Sequence, residues 1–481
     1  MRYLRGQGRY QQSFLSLDDH ISKSNVVRFL DTLCEDFCES FLLENSFDKG
    51  VKDTGRKAYH PGDLLKILVY GYFNGVNSSR KLEKETNRNI ELKWLTGNIL
   101  PDHKTIADFR KDNSELVTGM FSYLIGKFKE QGLITGKKLV IDGTKVKGYA
   151  SQEIHVESIQ NKLDNIESQV SKYLKDMAVI DQAEDEIEEL EKKKAVLNDE
   201  LEKLAGKKKS YENTLSLLQK AGQTRLSVTD LDCRMMRSRY GMYYGYNVQA
   251  AVDTAHHFIT KIETTNNQND KGLLTSMVEG CEHITGQQAD EISADAGYYK
   301  IDELENLEKN STQCYVAINR TPSQVKDQLN DLKFTYHKQE DRYYCSEGKK
   351  LDYLRRKNVD GRECKVYRGI ECNGCALKNV CTTAQNRIIH RNPNQEWIDG
   401  YHAKMNSEEG REKIKKRKSI AEHPFGTIKY SMGQIPLLLR GNIKVQTEMN
   451  LYAIGYNLKR YFNIKASTNK TTNQNLPKSA A

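Results

Sequence analysis

The sequence KIKKRKSIAEHPFGTIKY (413–430) places a single carboxylate, that of Glu422, inside a strongly basic stretch. As a helix, it puts five residues on one face, because they follow each other at spacings of three or four: Lys415, Lys418, Glu422, Phe425 and Lys429. Pro424 would kink that helix, so the shared face is best defined up to Glu422. A carboxylate among cations can bind a divalent metal while its neighbours bind phosphates. The alternative is a solvated helix whose Lys418–Glu422 pair contributes about 0.2–0.5 kcal/mol.

The composition of the whole chain favours a polyanionic partner. Its 481 residues are enough for two to four domains, and its formal charge is +9. Basic residues cluster in 136–147, 204–209 and 411–418. No apolar run approaches the roughly 20 residues of a membrane span, and the first ten residues lack the apolar core of a signal peptide. We therefore expect a cytoplasmic protein with no membrane partner and with reduced cysteines.

Two further acids stand at the ends of predicted strands. Asp142 follows the apolar residues 139–141, and Asp295 follows EISA (291–294). Antiparallel strands are predicted over 243–253 and 257–265, and a last strand over 313–318. In a mixed sheet of this order the first and fourth strands can be neighbours, with the basic helix packed across them. Asp142, Asp295 and Glu422 could then meet and bind two Mg²⁺ ions, which Mn²⁺ can replace. The Asp-Gly pair at 142–143 is also a hairpin signal, which is the alternative for that position.

Residues 156–219 have a heptad-like apolar rhythm, which predicts a coiled coil. A single helix of this length would extend roughly 95 Å at 1.5 Å per residue. If the flanking strands are neighbours in one sheet, the chain has to return. We therefore predict an antiparallel helical hairpin that turns within 181–186, where the apolar spacing lapses.

A polar stretch between the last strand and the basic helix contains five cysteines. Cys372 and Cys375 form a turn that can present two thiolates to one ion, and Cys381 follows six residues later. With Cys345 as the fourth ligand, the set predicts a structural Zn²⁺ site. Cys364 is the less favoured fourth ligand, and free thiols or a redox pair are the alternatives.

Several of these motifs together resemble the DDE transposases of bacterial insertion sequences. The resemblance extends over roughly residues 60–460 and rests on seven segments: PGDLLKILVYGY (61–72), PDHKTIADFR (101–110), IDGTK (141–145), TDLDCRMM (229–236), GYNVQAAVD (245–253), SADAGY (293–298) and RKSIAEHPFGTIK (417–429). It implies an α/β fold with an RNase H-like mixed-sheet catalytic core. It also implies that Asp142, Asp295 and Glu422 are the metal-binding catalytic triad.

The basic residues around Glu422 match the family's Tyr-Arg-Glu-Lys signature only in part. Lys429 occupies the lysine position, but Lys415 stands at the tyrosine position and Lys418 at the arginine position. Lysine lacks the forked geometry of arginine, and Arg417 is the candidate substitute. Four of the predicted DNA contacts therefore lie on this helix, and Lys145 of IDGTK is the fifth.

The function implied by the resemblance is movement of the protein's own insertion sequence. The protein would bind the terminal inverted repeats as double-stranded DNA, cleave there in a Mg²⁺-dependent reaction and join the freed 3′-hydroxyl to target DNA. Because strand transfer needs two ends, a homodimer is expected, associated with the nucleoid of a bacterium when bound to DNA. The alternatives are an RNase H-like nuclease without strand transfer and a non-catalytic DNA-binding descendant of a transposase.

These expectations divide the chain into six parts. They are a helical DNA-binding domain (1–135), the first part of the core (136–153 and 226–320), the coiled-coil hairpin insert (154–225), the cysteine-rich zinc-binding insert (321–392), the catalytic helix and following helix (393–464) and a disordered tail (465–481).

Overall fold

The computed structural model of the chain has a mixed α/β architecture with two sheets, a small strand pair and helices. It describes residues 16–45, 57–150, 153–181, 187–220, 222, 224–227, 229–238, 241–318, 333–359, 361–431 and 437–474. Among these residues, no helix is both long enough and apolar enough to cross a membrane.

Among the described residues, six α-helices form the N-terminal part of the fold. They are α1 (Val26–Asn45), α2 (Pro61–Phe73), α3 (Ser79–Arg88), α4 (Ile90–Leu95), α5 (His103–Asp112) and α6 (Ser114–Glu130). Helix α2 is the most buried, as its mostly apolar sequence predicts. Pro61 is its first residue, where no backbone N–H is needed, and the His60 ring accepts a hydrogen bond from the Gly62 amide.

The central sheet has six strands: β1 (Lys138–Lys147), β4 (Arg234–Ser238), β5 (Gly241–Asp253), β6 (Ile259–Thr265), β7 (Glu291–Ala294) and β8 (Gln313–Val316). The pairs β7–β8 and β1–β7 are parallel, whereas β5 pairs antiparallel with β1, β4 and β6. The first and fourth predicted strands are therefore neighbours, which confirms that expectation. Helices α9 (Leu274–Thr285) and α10 (Ile301–Lys309) connect the last three of these strands.

Two long helices leave the central sheet between β1 and β4. They are α7 (Val156–Asp181) and α8 (Ile187–Lys220), and the short strands β2 (Glu153–His155) and β3 (Arg225–Ser227) pair antiparallel at their base. Ile159 near the start of α7 packs in one cluster with Leu218 near the end of α8, so the helices run in opposite directions. The turn predicted within 181–186 falls on residues 182–186, which lie outside the described part.

The cysteine-containing stretch forms a second, antiparallel sheet. Its strands are β9 (Thr335–His337), β10 (Arg342–Tyr344), β11 (Lys350–Val359), β12 (Arg362–Gly369) and β13 (Ile388–Arg391), with the short helix α11 (Lys378–Cys381) before the last strand. A small core of tyrosine rings and Leu351 holds this sheet together.

The chain then returns to the central sheet through three helices. They are α12 (Gln395–Asn406), the basic helix α13 (Glu408–Gly426), which continues as a π-helical segment over Thr427–Ser431, and α14 (Asn442–Gln474). Helix α14 joins the N-terminal helices to the sheet. The side-chain amide of Asn457 accepts a hydrogen bond from the backbone N–H of Ile259 in β6 and donates one to its carbonyl. The hydroxyl of Tyr452 accepts a hydrogen bond from Asn77.

Candidate active site

Asp142 and Asp295 are neighbours inside the central sheet, where β1 pairs with β7. In the parallel pairing of β1 with β7, Ile141 is opposite Ala294, and the two aspartates are the next residues along the chain. Asp295 directly follows β7, as predicted, but the predicted strand end at Asp142 is wrong, because β1 continues to Lys147 in its pairing with β5. Apolar residues fix both strands in the core, since Ile141 and Ala294 are fully buried. The fold thus brings together two carboxylates that are far apart in the sequence.

The environment of Asp142 disfavours its charged form. Its side chain is 20% exposed, and its pKa is raised to about 6, mainly because burial removes the carboxylate from water. The charge of Asp295 raises the pKa further, while the guanidinium of Arg417 lowers it. A bound cation would relieve both the burial of this charge and its repulsion by Asp295.

The basic helix α13 packs across the strands that carry the two aspartates. Arg417 Nη1 lies 3.3 Å from Asp142 Oδ1, and Lys413 forms an ion pair of 2.5 Å with Glu291 at the start of β7. The buried Nε of Arg417 has no hydrogen-bond partner within the described residues.

Lys429 approaches β1 from the π-helical segment after α13. Its ammonium donates a hydrogen bond to the hydroxyl of Thr144, two residues beyond Asp142. Burial lowers the pKa of Lys429, and the nearby charge of Asp142 opposes that shift. Arg417 and Lys429 therefore both place cationic groups beside the first aspartate.

Glu422 points away from the two aspartates. Its side chain is 65% exposed, and its ion pair in the described chain is with Lys418 at 4.0 Å. Arg417 and Glu422 are five residues apart, which turns them about 140° from each other around a helix of 3.6 residues per turn. Because Arg417 faces β1, Glu422 faces solvent, together with Lys415. Nowhere in the described residues do three or more His, Cys, Asp or Glu side chains stand close enough to hold a metal ion.

A further aspartate near this pair, Asp270 in the loop between β6 and α9, was not among the predicted site residues, and its side chain is 20% exposed. It forms an ion pair of 3.1 Å with Lys145 and accepts hydrogen bonds from Asn247 and Gln249 of β5. A signal was present, since Asn247 and Gln249 alternate with Val248 and Ala250 and so give one face of a buried strand two amides. Lys145 therefore has a protein partner in this structure.

Four of the five cysteines of the second sheet line one small cavity: Cys345, Cys372, Cys375 and Cys381. Burial raises the pKa of the Cys381 thiol, and the other three thiols raise it further. Cys364 is buried elsewhere on β12, with its Sγ 3.7 Å from Asn392 Oδ1. The four side chains share a cavity but, as they stand, do not converge into a metal-binding group.

Comparison with known proteins adds two family matches. The family described as "Transposase domain (DUF772)" matches residues 15–112, which contain helices α1 to α5. The family described as "Transposase DDE domain" matches residues 344–462, which contain the cysteine cavity, α13 and Glu422. No curated protein matches the chain.

One solved structure is similar over most of the chain. It is a cryo-EM structure of the piggyBac transposase synaptic complex with hairpin DNA. The alignment covers 92% of this chain and 76% of that one, at 9% sequence identity and a TM-score of 0.31. A similarity at that level supports no inference about this protein.

Proposed function

We propose that this chain, as a member of the DDE transposases of insertion sequences, acts on its own DNA element. It cleaves the ends of the element and joins them to target DNA. The observation that carries this proposal is the parallel pairing of β1 with β7, which places Asp142 and Asp295 side by side beneath a basic helix. Paired carboxylates next to cationic side chains suit a reaction on a phosphodiester.

The two aspartates fit a divalent metal. Mg²⁺ binds proteins through one or two carboxylates and keeps several waters, and Asp142 and Asp295 supply such oxygens. Glu422 is the third ligand by resemblance to the family, and to take that role its exposed carboxylate has to turn toward the two aspartates. When bound, Mg²⁺ or Mn²⁺ activates a water or a 3′-hydroxyl and stabilises the leaving oxygen.

The chain's own residues bind and orient the DNA. The partly exposed guanidinium of Arg417 lies beside Asp142 and would bind a phosphate oxygen there. The exposed Lys415 and Lys418 would contact phosphates farther along the basic helix. Lys429 faces Thr144 of β1, so its ammonium would hold a phosphate close to the reacting group.

The remaining parts of the chain have supporting roles. The central sheet forms an RNase H-like core, and the antiparallel helices α7 and α8 form a coiled-coil insert. The four thiols of the shared cavity are the proposed ligands of a structural Zn²⁺, which would stabilise the second sheet once they draw together around it. The helices before residue 135 recognise the terminal inverted repeats of double-stranded DNA, and two copies of the chain hold two ends. This division is supported by the packing of each part and by the two family matches.

A strand-joining assay separates this function from its alternatives. A labelled duplex of the element's end with a free 3′-hydroxyl is incubated with plasmid DNA, Mg²⁺ and the protein. We expect joined product from the wild type and none from Asp295→Asn. The matched control is Asp290→Asn, since Asp290 is exposed just before the other end of β7 and should join normally. Cleavage of an intact end without joining would instead identify a nuclease, and binding without either reaction a non-catalytic descendant.

A further inference from the structure

Strand β1 has a second polar face, opposite the one that Asp142 presents to the basic helix. Successive residues of a strand point to opposite sides, so Gly143 and Lys145 face away from Arg417. On that side Asp270 Oδ1 accepts three hydrogen bonds, from Lys145 Nζ at 3.1 Å, Asn247 Nδ2 at 2.7 Å and Gln249 Nε2 at 2.9 Å. Asp270 and Lys145 are only 20% and 18% exposed. This carboxylate is therefore held rigidly by two strands.

The charge of Asp270 fixes the orientation of the Gln249 amide. An ionised carboxylate only accepts hydrogen bonds, so the amide nitrogen of Gln249 has to face it. The same nitrogen also donates to Asn247 Oδ1 at 2.9 Å, which uses both of its protons. The oxygen of Gln249 is then left to accept from the hydroxyl of Tyr298, and that bond is present. Gln249 and Tyr298 are almost fully buried, so neither has water as a substitute partner.

Tyr298 ends the short turn that carries Asp295. This 3₁₀ turn spans Ala296–Tyr298, and the Asp295 carboxylate begins it by accepting a hydrogen bond of 2.8 Å from the Gly297 amide. One end of the turn is therefore fixed by Asp295 itself and the other by Tyr298. A hydrogen-bonded path leads from Asp270 through Gln249 and Tyr298 to the second metal-binding aspartate.

Gly297 lies close to the carboxylates of both Asp270 and Asp295. A Cβ atom added at Gly297 would lie 2.9 Å from Asp295 Oδ1 and 3.1 Å from Asp270 Oδ2. The two oxygens are thus about 6 Å apart at most, with only a glycine backbone between them. Any side chain at this position would displace one of the two carboxylates.

We propose that Asp270 is a positioning residue for Asp295, acting through Gln249 and Tyr298, and that Lys145 is the counter-ion of Asp270 and not a DNA contact. The inference rests on the proposed function, because it assigns Asp295 to the metal-binding pair. Asp270 sets the position of the turn, and the turn sets the direction in which the Asp295 carboxylate points.

The test compares variants that remove different hydrogen-bonding groups between Asp270 and Asp295. Asp270→Ala removes the acceptor, Asp270→Asn retains an oxygen of the same shape, and Tyr298→Phe removes only the final hydroxyl. The matched control is Tyr315→Phe, since Tyr315 is also buried in the sheet and its hydroxyl bonds to Glu409 at 2.7 Å and to Gln313 at 3.2 Å. For each protein we would measure Mn²⁺ binding from the free-ion electron paramagnetic resonance signal and the Mg²⁺ midpoint of end cleavage.

We expect Asp270→Ala and Tyr298→Phe to weaken Mn²⁺ binding and raise the Mg²⁺ midpoint by about 10-fold or more, which is typical for the loss of an outer partner of a metal ligand. Asp270→Asn should recover most of that loss, and Tyr315→Phe should match the wild type. Affinity for the end duplex in Ca²⁺ should be unchanged in Lys145→Gln. Unchanged Mn²⁺ binding in Tyr298→Phe and Asp270→Ala, or an equal loss in Tyr315→Phe, would overturn the proposal.

The two readouts separate this inference from the function on which it rests. If the wild type binds Mn²⁺ but cleaves no DNA, the proposed function fails, while weaker Mn²⁺ binding in Tyr298→Phe still supports the positioning role. If the wild type cleaves and Tyr298→Phe binds Mn²⁺ normally, the function stands and the positioning role is wrong.

Discussion

Asp142→Asn should stabilise the metal-free protein while removing its activity. The pKa of Asp142 is about 6 in the folded chain, against 3.8 for an ordinary aspartate, because burial and Asp295 disfavour its charge. A rise of about two pH units corresponds to about 3 kcal/mol of stability that is lost when the group ionises. Asparagine has nearly the same shape and never ionises, so it avoids this loss.

The sign of the pH dependence follows from which state binds the proton. Between about pH 4 and pH 6 the folded protein holds a proton on Asp142 that the unfolded chain has released, so stability falls as pH rises through this window. Above pH 6 the loss is complete. The free energy of unfolding of Asp142→Asn should therefore equal that of the wild type near pH 4 and exceed it by up to about 3 kcal/mol at pH 7.5.

Urea unfolding in EDTA at pH values from 4 to 7.5 measures this difference directly. Asp290→Asn is the matched control, since Asp290 is exposed, and it should follow the wild type at every pH. Mg²⁺ at about 100 times its dissociation constant should raise the free energy of unfolding of the wild type by about 2.7 kcal/mol. The increase should be much smaller for Asp142→Asn. If Asp142→Asn is less stable than the wild type at pH 7.5 in EDTA, the claim that ionised Asp142 destabilises the metal-free protein is refuted.

Three further changes test other parts of the site. Glu422→Gln should bind the end duplex as the wild type does in a mobility-shift assay but lose cleavage at least 100-fold; undiminished cleavage would remove Glu422 from the mechanism. Lys429→Met should weaken DNA binding and reduce its salt slope by about one unit, because one phosphate contact is lost, and an unchanged slope would contradict that contact. Cys375→Ser should abolish zinc in elemental analysis and lower the melting temperature, whereas the buried Cys314→Ser should keep the metal; wild type without zinc when purified free of chelator would exclude the site.

The sequence predicted the position of the aspartate pair because local signals determine it. Short apolar runs ending in Asp142 and Asp295 predict buried strands, and β1 and β7 are neighbours as expected. The position of Glu422 depends instead on how α13 is rotated about its axis. Arg417 faces β1 in the structure, and the π-helical turn after Pro424 changes the register of Lys429. Helical spacing alone does not determine that rotation.

Other features depend on contacts that a linear pattern does not contain. Asp270 gains its partners only when the loop after β6 folds over β5, so in the sequence it resembles any polar loop residue. The second sheet has strands with many exposed residues, and β11 is mostly exposed, so apolar alternation is weak there. Helix α14 continues to Gln474, although the polar residues from 465 were expected to lack structure. Extending an existing helix costs far less than nucleating a new one.

The central claim is that Asp142 and Asp295 form a metal-dependent site for DNA strand cleavage. The most direct measurement incubates the purified protein with a labelled fragment that carries the element's end and its flanking DNA, in Mg²⁺ or Ca²⁺, beside Asp142→Ala. We predict nicking at the element boundary in Mg²⁺, no nicking in Ca²⁺ and none by the variant. Tight and specific binding without cleavage in any divalent metal would contradict the account and identify a DNA-binding protein whose acids no longer act in catalysis.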